Sequence, residues 1–190
     1  MPTEISGSTG VNKIQDGTIV NADINSSAAI DASKLTGVGL ANADYWRLTT
    51  QFQSSATITS NLERVDTDSF NVLGTGMTES SGVFSFPQTG YYLINYMWTT
   101  ENTGLDDCFL MLNVSTDGGA NYGDAGRAYA GNRESSSTKN SASNTAIVDV
   151  TDTSNVVVKF SVHNANQNTY TMGSSNLTWT GFTFVRLGDT

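Results

Sequence analysis

The stretch GYYLINYMW, residues 90–98, carries most of the information about the fold. Read with the two-residue period of a β-strand, Tyr92, Ile94, Tyr96 and Trp98 point one way, and Tyr91, Leu93, Asn95 and Met97 point the other. Both faces are apolar. A second stretch, NVVVKFSVH at 155–163, differs: Val156, Val158, Phe160 and Val162 share a face, while Val157, Lys159 and Ser161 occupy the opposite one, so one side alone is built for burial. A strand that is apolar on both sides keeps one face in its own core. The other needs a cover, which is either a loop of the same chain or, most simply, a second copy of the protein.

Working outward from residues 90–98, ten segments read as strands: Tyr45–Phe52, Ile58–Val65, Phe70–Leu73, Val83–Phe86, Tyr91–Thr100, Asp107–Ser115, Gly126–Ala130, Ala146–Val150, Val156–His163 and Leu177–Leu187. Turn-forming runs separate them: TGMTESSG, PQTG, TENTG, TDGGANYGDAG, TDTSN and NANQN. No convincing helix interrupts the series. The expectation is an all-β protein, a β-sandwich or jelly roll of about ten short strands.

Composition agrees. Ser, Thr and Asn make up roughly a third of the chain and charged residues 14%, a balance typical of extracellular or particle-surface β proteins. At 190 residues the chain is long enough for one self-supporting core and an appendage. The net charge of −9 repels phosphate backbones and anionic membranes, so neither nucleic acid nor membrane is an expected partner. MPTEISGSTG has neither the basic start nor the apolar stretch of a secretion signal, and no run approaches the ~20 apolar residues of a membrane span; the expectation is a soluble protein made in a cytoplasm. Cys108, the single cysteine, lies in CFLMLNV and reads as a small buried apolar residue.

The first forty residues differ in kind. In IQDGTIVNADINSSAAIDASKL, residues 14–35, the large aliphatics fall at Ile14, Ile19, Ile24, Ile30 and Leu35, a mostly five-residue spacing that suits neither a helix face nor a strand face. Five such side chains are too few to offset the conformational entropy of ordering the segment by itself. Residues 1–40 therefore read as an extended arm that touches a partner at intervals through these five positions, and 41–190 as the β domain.

Two resemblances sharpen this. SGVFSFPQTGYYLINY, Ser81–Tyr96, resembles the central signature of C1q and tumour-necrosis-factor-like domains, and LTWTGFTFVRL resembles their last strand. The matching positions are Gly82, Phe84, Phe86, Pro87, Gly90, Tyr92, Ile94, Tyr96, Trp179, Gly181 and Phe182; Gln88 and Thr89 lengthen the Pro-to-Gly step, and Ile94 stands where the family commonly has Phe. This resemblance implies a ten-strand jelly roll assembled as a trimer. In that assembly Tyr92, Ile94, Tyr96 and Trp98 fill the subunit core, and Tyr91, Leu93 and Met97 form the trimer interface. DGTIVNADINSSAAIDASKLTG, Asp16–Gly37, resembles segments of tail-fibre, head-fibre and capsid-decoration proteins of tailed bacteriophages, which attach to the virion or form a shaft. One copy of it favours a short attachment arm.

Chemistry-bearing residues are sparse. His163 has no Cys or Asp at a nucleophile or ligand spacing and reads as an edge or turn residue. Asp117, Asn121 and Asp124 offer oxygens for calcium, but Asp-Gly-Gly after a strand reads more simply as a hairpin connection. The pairs Asp66/Asp68 and Asp106/Asp107 have the types a glycosidase uses without recognisable sugar platforms beside them, and read as solvated loop charges. No catalytic residue, metal or cofactor is expected. The function these observations imply is structural: a trimeric capsid decoration protein on the outer surface of a phage head, its arms cementing the major capsid protein. The alternative is the receptor-binding tip of a tail or head fibre that recognises host surface glycan, with Tyr122, Tyr129 and Tyr170 as candidate sugar platforms.

Overall fold

The computed structural model describes residues 39–67, 70–131 and 137–190. The chain divides into two units, Met1–Val38 and Gly39–Thr190, and the described residues belong to the second. Ile14, Ile19, Ile24, Ile30 and Leu35, the expected contact positions of the arm, lie outside them.

Among the described residues thirteen strand segments occur: β1 (Ala43–Leu48), β2 (Thr50–Phe52), β3 (Ala56–Thr57), β4 (Leu62–Arg64), β5 (Thr78–Ser80), β6 (Val83–Ser85), β7 (Gly90–Asn102), β8 (Cys108–Ser115), β9 (Gly123–Tyr129), β10 (Thr138–Val150), β11 (Val157–Asn164), β12 (Thr169–Ser174) and β13 (Gly181–Gly188). They make two antiparallel sheets. The seven-stranded one runs β2-β12-β7-β13-β1-β4, with β10 along the other edge of β7; the six-stranded one runs β5-β6-β11-β8-β9, with β3 also on β11. Among the described residues no helix occurs. This is the expected all-β jelly roll, with β7, which contains residues 90–98, inside the larger sheet.

The alternation in β7 resolves as expected. Tyr92, Ile94, Tyr96 and Trp98 are buried between the sheets, and the polar tips of two of them find carbonyls: Tyr92 Oη donates to Gln88 O at 3.0 Å and Trp98 Nε1 to Ala128 O at 3.0 Å. From the facing sheet, Phe160 stacks on Phe182 with ring centroids 3.9 Å apart, and Phe84 packs 5.1 Å from Phe184. Aromatic rings are the largest fully buried side chains of this core, and each buries a large apolar area at the cost of few rotors.

One buried carboxylate ties the sheet edge together. Asp44 on β1 accepts from Trp46 Nε1 at 2.9 Å, Met77 N at 2.7 Å, Tyr45 N at 2.9 Å, and Arg64 Nε and Nη2 at 2.9 and 3.0 Å. The two Arg64 bonds are a forked ion pair with β4, and the Met77 bond pins the loop before β5. At the β5–β6 turn, Ser81 and Gly82 have φ of 52° and 83°, the left-handed pair that a two-residue hairpin requires.

Several expected boundaries shift. Ile58–Val65 is not one strand: β3 ends at Thr57 and β4 begins at Leu62, with Asn61 at φ 58° in the turn between them. Phe70–Leu73 is loop, holding the domain by an isolated bridge from Leu73 to Ala43. The run expected as the turn TGMTESSG contains β5. The largest revision is β10, thirteen residues instead of five, because its first half, TKNSASNT, has no apolar alternation to reveal it. Strand β12 had no counterpart in the sequence reading, since its inward residues are Thr169 and Thr171, both buried. Thr169 tolerates burial because the site supplies partners: its Oγ1 donates to Asp106 Oδ2 at 2.6 Å and accepts from Asn102 Nδ2 at 2.8 Å.

Candidate functional site

Strand pairing builds the outer face of the seven-stranded sheet row by row. Leu93 on β7 faces Ile147 on β10 and Val185 on β13, and Val185 in turn faces Ala43 on β1. Tyr91, next to Asp149 in the register, adds a ring at the same end, and Leu187 continues the patch along β13. Ile147 is 64% exposed, Leu187 49% and Tyr91 41%; Leu93, Met97 and Val185 are half-buried. No described loop of the chain covers this end. Moving along the strands, the face turns polar: Asn95 lies between Thr145 and Thr183, Met97 opposite Ser143, and Thr99 opposite Ser141, with Asn95 Nδ2 donating to Thr145 Oγ1 at 2.9 Å and Thr99 and Ser141 hydroxyls 2.8 Å apart. The far end closes with an ion pair, Lys139 to Glu101 at 2.8 Å. The expected interface residues Tyr91, Leu93 and Met97 therefore do share one open sheet face, and pairing adds Ile147 and Val185, which the sequence reading did not single out. The signal for Ile147 was its register opposite Leu93, and register is a tertiary quantity.

The candidates for chemistry are distributed rather than gathered. Asp117 accepts from Ser115 Oγ at 2.7 Å, Asn121 N at 2.9 Å and Asn121 Nδ2 at 2.7 Å, and these bonds, the Asn121 side chain first, hold its carboxyl down at about 2. Asp124 turns instead to Asn113 Nδ2 at 3.0 Å and Arg127 Nη2 at 2.8 Å. The two carboxylates are thus engaged in different networks, and the 116–122 turn is held by bonds to Asp117 and Ser115 and by Gly118 N donating to Asn155 O at 2.9 Å. Asp106 is not a solvated loop charge, as its neighbourhood in sequence suggested; it is buried and accepts from Asn166 N, Asn168 N and Thr169 Oγ1 at 2.9, 3.0 and 2.6 Å, joining the β7–β8 loop to the β11–β12 loop. Asp107 is exposed, and Asp68 lies outside the described residues. Cys108 is buried, and loss of hydration pushes its thiol up. His163 is exposed on β11 and stacks on Phe109 at 4.7 Å. Of the three tyrosines considered as sugar platforms, Tyr122 is capped by Lys159 Nζ at 3.7 Å, Tyr170 is half-buried, and Tyr129 is 56% exposed.

No protein-family model matches the sequence. No curated protein matches it either. Solved structures do resemble it: Eiger TNF from S. frugiperda, at 12% identity over 78% of this chain and 93% of the other with a TM-score of 0.59, and murine APRIL at pH 5.0, at 14% identity over 77% and 98% with a TM-score of 0.56. The fold is a jelly roll of the C1q/TNF type. Identities this low establish the shared architecture and nothing of what the jelly roll binds. The motif positions of the sequence argument fall where such a fold needs them: Gly82 in the β5–β6 turn, Phe84 and Phe182 in the ring cluster, and Gly90 opening β7.

Proposed function

We propose that this chain is a non-enzymatic assembly protein: a homotrimer of jelly rolls packed through the outer face of the seven-stranded sheet, decorating the outer surface of a bacteriophage head. The observation that carries the assembly is the open apolar row of Ile147, Leu93 and Val185 with Tyr91 and Leu187 beside it, spanning β10, β7 and β13 and centred on β7, the most extensively paired strand of the domain. Water-exposed aliphatic rows of this kind are stabilised by covering, and the polar rows above them supply hydroxyl and amide groups for hydrogen bonds across subunits. The virion assignment is supported by the resemblance of Asp16–Gly37 to phage attachment segments. In this reading the five aliphatics Ile14 to Leu35 contact the major capsid protein, and three arms per trimer resist detachment together.

Two measurements test it. In sedimentation velocity the full chain is expected near three times its 20.2 kDa mass, and Ile147→Asp, at a solvent-facing position, is expected to sediment as a monomer with an unchanged far-UV spectrum. A wild-type monomer at micromolar concentration overturns the assembly. Purified heads of the encoding phage are expected to bind the full chain at many sites over the shell and to lose it when residues 1–38 are deleted; a few copies confined to a tail or fibre would move the protein to a fibre tip.

A further inference from the structure

The opposite face of the molecule, the outer side of the six-stranded sheet, is built differently. Register sets His163, Phe109 and Tyr129 in one row across β11, β8 and β9, with ring centroids 4.7 and 5.0 Å apart. Phe109 is the buried middle of the row, and His163 and Tyr129 are its exposed ends. Beside the rings runs a hydrogen-bonded polar chain: Arg127 to Asp124 at 2.8 Å, Asn113 to Asp124 at 3.0 Å, and Ser161 to Asn113 at 2.8 Å. The Arg127 guanidinium also lies over the Phe109 ring at 4.6 Å.

We propose that this face is a carbohydrate-binding site centred on Tyr129, Arg127 and Asp124, and that its ligand is a neutral hexose of a polysaccharide. Three features select that chemistry. A solvent-facing phenol ring beside a polar ladder matches a molecule with an apolar C–H face and a hydroxyl rim, since the ring takes the face while Asp124 accepts from one hydroxyl and Arg127 donates to its neighbour. Arg127 and Asp124 neutralise each other, and the chain as a whole carries −9, so a polyanion gains nothing here. Phe109, the apolar middle of the ring row, is already buried, so the exposed groups Tyr129, His163, Arg127 and Asp124 lack the continuous apolar centre that a protein partner buries. The groups stand on strands and are held by their neighbours, so little order is lost on binding. The site is complete within one chain and independent of the trimer.

Saturation-transfer-difference NMR on the full chain tests this, with the methyl glycosides of glucose, galactose, mannose, N-acetylglucosamine and rhamnose as probes. At least one glycoside is expected to bind with millimolar affinity and to receive saturation on its ring C–H protons. Tyr129→Ala is expected to abolish the transfer, Tyr129→Phe to keep it, and Asp124→Asn to weaken binding by about tenfold. All these positions are exposed, so circular dichroism and thermal midpoints should match wild type. No transfer to any of the five, or transfer undiminished in Tyr129→Ala, overturns the proposal. The monomeric Ile147→Asp variant should bind as wild type does, which separates failure of this site from failure of the assembly.

Discussion

Replacing Asp44 with Asn is nearly isosteric, and it converts two acceptor oxygens into one acceptor and one donor. In the fold Oδ1 accepts from Tyr45 N and Arg64 Nε, and Oδ2 from Trp46 Nε1, Arg64 Nη2 and Met77 N. An amide can satisfy the first set. Its NH₂ would then point at three donors, and the Arg64 charge would lose its partner. Breaking a buried ion pair from one side costs about 3–5 kcal/mol. The lower end is expected, since the Arg64 side chain is 35% exposed against 1% for Asp44 and recovers some hydration. For a domain of this size the thermal midpoint falls about 2–4 °C per kcal/mol, so a loss of about 3 kcal/mol predicts a drop of roughly 6–12 °C. Scanning calorimetry and guanidinium unfolding at one fixed protein concentration measure it, with an unchanged denaturant slope showing that the folded state persists. A loss under about 1 kcal/mol would place Asp44 among ordinary surface pairs and refute its role in joining β1, β4 and the 77 loop.

Phe160→Ala removes the ring stacked on Phe182 at the middle of the core and is expected to cost about 3–5 kcal/mol in chemical denaturation; a loss under about 2 would mean the cluster collapses to refill the space. Gly82→Ala forces a side chain onto φ 83° and against the Ile58 carbonyl, for a penalty on the order of 1–3 kcal/mol, whereas a neutral effect would show that the β5–β6 hairpin can re-register. The Asp117 carboxyl is lower in the fold than its usual 3.8, so its turn is favoured fully above about pH 4 and released as the pH falls through about 2; carbon-detected NMR should place its midpoint near 2, and a midpoint near 3.8 would contradict the bonds from Asn121 and Ser115.

The aromatic strands were legible because apolar alternation is itself the cause of their burial. Tyr92, Ile94, Tyr96 and Trp98 had to face inward once β7 was a strand, and Phe160 and Val158 likewise on β11. Where burial rests on hydrogen bonds the pattern is silent. Thr169 looks like a surface residue until Asp106 and Asn102 are brought to it from more than sixty positions away. The first half of β10 looks like a linker until β7 pairs with it.

The same division holds for the functional surfaces. Residues 90–98 by themselves required one face beyond the subunit core, because a two-residue period leaves Tyr91, Leu93 and Met97 nowhere else to go. Only tertiary pairing decided that Ile147 and Val185 complete that face, that Phe109 joins Tyr129 and His163 into one row, and that Tyr122 lies under Lys159. The physical reason is that periodicity is a local property of the chain, whereas register between strands is set by the closure of two sheets over one core.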